Sequence, residues 1–151
     1  LEFPVRKDKI INRKPNWGDV LPYFIPSLFV IINPLLYNYT GYLLLPIWVG
    51  YAGLPFLDYL FGHDETNVSK ESEREFEEDS RFLLPMYTLF ICDMIFYAWT
   101  LSIFISGEFE YVQMFILILN AAHSNGLTGL MGHELFHRRH PIHKMVGTIT
   151  L

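Results

Sequence analysis

Cysteine is almost missing from this chain, and charge is missing from most of its length. A single thiol, Cys92, stands among 151 residues, which excludes a disulfide framework and a thiolate metal site. There is no basic stripe. Eleven Lys and Arg against sixteen Asp and Glu leave a net charge of −5 and no electrostatic footprint for nucleic acid. No charged n-region, apolar h-region and cleavage pattern opens the chain. The absence of charge carries most weight in four apolar stretches, 20–37, 40–61, 83–106 and 111–132. They hold only two charged residues, Asp58 and Asp93. A soluble helix of such length must show water a polar face, and these show none.

What is there follows from that. Each stretch is near the roughly 20 apolar residues that a hydrocarbon core about 30 Å thick requires. The expected fold is an all-α integral membrane bundle of four transmembrane helices in two hairpins. Pro22, Pro26, Pro34, Pro46 and Pro55 interrupt the first two spans and predict kinks there. The first hairpin is expected to turn at Asn38-Tyr39-Thr40-Gly41. The chain then divides into a cytoplasmic N-terminal segment (1–19), a hairpin (20–61), an acidic loop (62–82), a second hairpin (83–132) and a C-terminal segment (133–151).

Every basic residue falls on one side of that arrangement. Arg6, Lys7, Lys9, Arg13 and Lys14 precede the first span; Lys70, Arg74 and Arg81 lie in the long loop; Arg138, Arg139 and Lys144 follow the last span. The positive-inside bias therefore predicts both ends and the long loop on the cytoplasmic or equivalent side. Aromatic residues near the span ends, such as Trp17, Tyr23, Tyr59 and Tyr111, suit interfacial anchoring. Within the acidic loop, Ser69 to Phe82 reads as a surface helix with Ser69 as its N-cap, solvated or offered to a basic partner.

The chemistry concentrates after span four, in Gly132-His133-Glu134-Leu135-Phe136-His137-Arg138-Arg139-His140-Pro141-Ile142-His143. Positions i and i+4 lie one turn apart on one helix face, so His133 and His137 can present two imidazoles to one metal. His140, at i+7, shares the face, although Pro141 biases it away from helix. His143 reads as surface. HExxH serves two chemistries: a zinc peptidase with Glu134 as general base, or the first histidine box of a di-iron site that activates dioxygen. Spacing alone leaves both open. At membrane depth, Asp93 and His123 are candidates to line a substrate cavity, or else to make structural hydrogen bonds. Gly126, Gly129 and Gly132 are expected to permit close helix packing.

Two strings carry a resemblance. Pro55-Phe56-Leu57-Asp58-Tyr59-Leu60-Phe61-Gly62-His63-Asp64-Glu65-Thr66-Asn67 resembles the run after the second span of the integral-membrane alkane hydroxylases (alkane 1-monooxygenases). His133-Glu134-Leu135-Phe136-His137-Arg138 is similar to their first histidine box. The resemblance covers roughly residues 40–145, with His63 in place of the family's Glu, Val68 of its Pro and Arg138 of its Lys.

It implies a membrane-bound di-iron monooxygenase that hydroxylates terminal methyls of alkanes or related fatty chains with O2. His133 and His137 would be iron ligands, His140 a further one, and Glu134 an orienting neighbour of the metal rather than a base. Electrons would come from a rubredoxin or ferredoxin, and other membrane subunits could join. The family's later histidine boxes and two further spans are absent, so the chain is expected to be the N-terminal part of such a protein. By itself it is expected not to complete the di-iron site. The remaining alternatives are a non-catalytic membrane subunit that keeps the scaffold, and the HExxH zinc peptidase.

Overall fold

A computed structural model of the chain describes residues 9–40, 49–62, 66–107 and 109–151. It is mostly helical. Helix α1 spans Trp17–Thr40 through a 3-10 turn at Leu21–Phe24. Helix α2 covers Leu54–Phe61 after a π-helical turn at Val49–Gly53, and α3 covers Lys70–Glu78. The long helices α4 (Leu83–Ser106) and α5 (Tyr111–His137) follow, and α6 (Pro141–Thr150) closes the chain. Two short strands, β1 (Lys9–Ile11) and β2 (Thr66–Val68), pair in parallel with Ile10 opposite Asn67.

Among the described residues, three helices are long and apolar enough to cross a membrane: Trp17–Thr40, Ser80–Ser106 and Tyr111–His137. The expected second span, 40–61, lies partly outside the described residues, which contribute only the π-helical turn and α2. Local chemistry sets most of the helix ends. Asn16 caps α1 by accepting from the Gly18 N–H at 2.7 Å. Pro34 sits inside α1 without an N–H to give, while the neighbouring Asn33 amide donates to the Phe29 carbonyl at 3.2 Å. Gly107, at φ 66°, takes the left-handed conformation that ends α4, where a side chain would be strained.

Two expectations need correction. The helix does not turn at Asn38: α1 continues through Asn38 and Tyr39 to Thr40. No proline interrupts the chain between Leu35 and Thr40, so nothing in the sequence stops the helix before Gly41. The all-α reading also omits the β1–β2 pair, which ties the N-terminal segment to the acidic loop.

Helix α4 packs against both α1 and α5, and α6 folds back on α5. Their shared core is Val30, Leu89, Phe96, Met131, Leu135 and Val146. Large apolar side chains elsewhere on these helices, including Ile91, Ile105, Ile118 and Leu130, are exposed. Such surfaces suit a solvent of lipid tails. The α5–α6 contact depends on two glycines. A Cβ on Gly132 would come 2.1 Å from the Thr150 hydroxyl, and one on Gly147 would come 2.6 Å from the Gly132 carbonyl. Gly126 and Gly129, expected to share this role, face no neighbour within 4 Å among the described residues.

At one end of the bundle the N-terminal segment, α3 and the end of α5 are laced together. Ser72 donates to the Asn12 side chain at 2.9 Å, and Arg81 donates to the Pro15 carbonyl at 2.7 Å. Arg138, just past α5, donates to the Glu77 carbonyl at 3.0 Å. The segments that carry the described basic residues thus meet at a single end.

Candidate functional site

The histidine pair stands at that end, on the last turn and a half of α5. No Gly or Pro breaks the helix between Gly132 and His137, so the i, i+4 spacing puts both rings on one exposed face. The Nε2 atoms of His133 and His137 lie 3.2 Å apart, with ring centroids separated by 4.6 Å. Neighbouring ligands of one first-row metal, at about 2.0–2.1 Å each, stand roughly 2.9–3.4 Å apart. The pair therefore fits two adjacent coordination positions on a single ion. Among the described residues, no third His, Cys, Asp or Glu joins them.

Glu134 points elsewhere. Its Oε1 accepts from Arg138 at 2.9 Å, an i, i+4 ion pair across the helix end. Arg138 is thereby fixed between the Glu134 carboxylate and the Glu77 carbonyl. Its Nε is buried and has no acceptor among the described residues.

His140 leaves the helical face that its spacing suggested. Ahead of Pro141 its backbone is extended, at φ −72° and ψ 133°. There its Nδ1 accepts from the Ile142 N–H and caps α6. His143, expected at the surface, is half-buried on α6 and its Nδ1 is hydrogen-bonded by the Tyr87 hydroxyl of α4. Burial pushes its pKa below the ordinary imidazole value, and the neighbouring His140 and Arg138 act in the same direction. This Tyr87–His143 link was not legible in the sequence, because nothing local to either residue names the other.

At membrane depth, Asp93 is 1% exposed between α4 and α5. One carboxylate oxygen accepts from the Ser124 hydroxyl and the other from Thr128 at 3.0 Å. Hydroxyls at i and i+4 of α5 thus satisfy both oxygens. His123 points away from this cluster: its Nδ1 is 3.1 Å from the Tyr51 hydroxyl, and its ring lies beside Gly50. Both residues take up structural hydrogen bonds, the second of the two roles open to them, and neither lines the apolar groove between the helices.

That groove, about 570 Å³, opens among α1, α3, α4 and α5. Its walls are apolar, with Tyr23, Pro85, Met86, Leu89, Leu130 and Met131 among them. Glu77, Glu134 and Arg138 form the polar end. No periodicity in the sequence announces it, since its walls come from four separate elements.

Two curated relatives, both named alkane 1-monooxygenase, align with almost the whole chain. The protein from Pseudomonas putida is 29% identical over 96% of this chain and 38% of its own length. That from Ectopseudomonas oleovorans is 26% identical over 97% of this chain and 39% of its own length. The likeness thus extends beyond residues 40–145, and the chain spans about two-fifths of the relatives it matches. No family model and no solved structure matches it.

Proposed function

We propose, on the premise that this chain is related to the alkane 1-monooxygenases, that it forms the scaffold and first histidine box of a membrane monooxygenase. The substrate class is terminal methyls of alkanes or related fatty chains, with O2 as oxidant. The single observation that carries this reading is the convergence of the His133 and His137 Nε2 atoms to ligand spacing at the end of an apolar helix. Both would hold iron as neutral imidazoles. His140 is left out of that role because it caps α6.

Bound iron would supply the activation of dioxygen that an unactivated methyl group demands. The chain's own residues do the rest. A neutral ring that gives Nε2 to a metal keeps its proton on Nδ1, so a partner there fixes the tautomer and orients the ring. The ion pair turns Glu134 toward Arg138, whereas a peptidase base would have to face the metal-bound water. Lipid-facing apolar surface on α4 and α5 admits an alkyl chain from the bilayer without crossing water.

The topology belongs to the same proposal. Four spans, with the second running through 40–61, put the N-terminal segment, the acidic loop and the histidine box on the cytoplasmic or equivalent side. The lacing of those segments at one end supports this arrangement. An electron donor of rubredoxin or ferredoxin type would approach that face, and further iron ligands would come from outside this chain. Metal analysis of the purified gene product that carries this chain tests the reading. Iron is the expected metal. Zinc at one per chain, without iron, would favour the peptidase.

A further inference from the structure

Three oxygen–oxygen contacts meet around Asp93, and each needs a proton. The Ser124 hydroxyl faces Oδ1, and the Thr128 hydroxyl lies 3.0 Å from Oδ2. The same Thr128 oxygen lies 2.7 Å from the Ser124 carbonyl. A Ser or Thr hydroxyl carries one proton, and a carbonyl or carboxylate carries none. Two hydroxyl protons therefore face three contacts. The Ser124 proton goes to Oδ1, its one acceptor among the described residues. The Thr128 proton goes to the Ser124 carbonyl, the closer of its two acceptors and the i−4 position to which a helical threonine donates. Asp93 Oδ2 and Thr128 Oγ1 would then face each other as bare oxygens, unless the carboxyl itself brings the third proton.

The surroundings favour the same state. Asp93 is buried in the middle of α4. Among the described residues its partners are the two hydroxyls, with no Lys, Arg or His. Residues 41–48 include no Lys, Arg or His either. Its titratable neighbours are Cys92 and Tyr97, on its own helix, and neither brings a positive charge. A buried carboxylate without a cation is costly, and taking up a proton removes the cost.

We propose that Asp93 is a proton-binding site at membrane depth, a neutral carboxylic acid that donates from Oδ2 to Thr128 and accepts from Ser124 at Oδ1. The 3.0 Å bond between Asp93 and Thr128 then runs from the acid to the hydroxyl. Each contact holds one proton, and α4 is joined to α5 with no charge in the span. The site needs neither metal nor substrate, so it stands apart from the oxygenase reading.

Infrared difference spectroscopy tests it, taking parent minus Asp93→Asn for the gene product that carries this chain, at neutral pH in a detergent without ester groups. The C=O stretch of a protonated carboxylic acid falls above the amide I band, away from carboxylate absorption. A band there is expected in the parent and lost in Asp93→Asn. Ser124→Ala removes the donor to the acid carbonyl and should move the band to higher frequency. Thr128→Val removes the acceptor of the acid proton and should move it the same way. Both variants keep the acid, so the site stays readable even where Asp93→Asn folds poorly; the amide I band of the same spectra reports helix content. A parent without an acid band, whose carboxylate bands weaken in Asp93→Asn instead, would overturn the proposal. So would an acid band that none of the three variants alters.

Discussion

Asp93 shows how much of a single residue's role the sequence discloses. A carboxylate in the middle of an apolar span must find partners, and the hydroxyls of Ser124 and Thr128 meet both of its oxygens. The need for a partner was legible in the sequence; the identity of the partners was not, because it depends on how α4 and α5 rotate against each other. Hydrogen bonds within membranes are worth about 0.6 kcal/mol on average and up to about 1.7. Asp93→Leu is therefore expected to cost about 1–3 kcal/mol in thermal unfolding, with Asp93→Asn losing about half of that. An Asp93→Leu protein as stable as the parent would remove the structural role.

Asp79 gives a second test at this scale. Arg81 chelates its carboxylate and, together with the bond from its own backbone N–H, holds it below the usual carboxylate range. A depressed pKa contributes stability above the unfolded value of 3.8 and loses it as the pH falls through the lower folded value. Acidification below about pH 4 should loosen the Arg81 contact to Pro15, read as lower amide protection (exchange relative to the intrinsic rate at each pH) in residues 9–16. Asp79→Asn should lower that protection at neutral pH and shrink its further loss on acidification.

At the scale of elements, charge-poor length was the readable signal. Span 83–106 matches α4 at both ends, because Gly107 stops it and the acidic loop precedes it. Ser69 does cap α3, accepting from the Ser72 N–H at 3.3 Å. Strands of three residues carry too little periodicity to be read, and the β1–β2 pairing joins Lys9–Ile11 to Thr66–Val68, far apart in the sequence. The glycine stripe on α5 was readable only as a stripe. Which member packs was decided by α6, whose fold-back no local pattern reveals.

The two close contacts of α6 make different predictions. Gly132→Ala collides chiefly with the Thr150 hydroxyl, while the Thr150 Cβ at 3.0 Å and the Gly147 carbonyl at 3.2 Å remain close, so pairing it with Thr150→Ala should restore part of an expected loss of about 1–3 kcal/mol. Gly147→Ala collides with the α5 backbone at Gly132 and Phe136. No side-chain change at position 150 should relieve it. Thermal unfolding of the two single variants and of each combined with Thr150→Ala decides the matter, and equal rescue by Thr150→Ala in both backgrounds would contradict this packing.

For the whole molecule, the four-span topology proposed above is tested by accessibility from the two sides of the membrane. In a Cys92→Ala background, Asn12→Cys and Glu71→Cys should react with an impermeant thiol reagent from the same side. Tyr111→Cys should react only from the other. Labelling of Asn12→Cys and Glu71→Cys from opposite sides would break the four-span proposal. The histidine pair is the centre of the account, and its i, i+4 spacing was fully legible.

The most direct measurement replaces one ring at a time in the gene product that carries this chain, then reads bound iron and terminal hydroxylation of a medium-chain alkane together. His133→Ala and His137→Ala are each expected to lose most of the iron and at least about a hundredfold of the activity, with helix content unchanged. Retention of both iron and hydroxylation in either variant would contradict the assignment of these imidazoles to a metal.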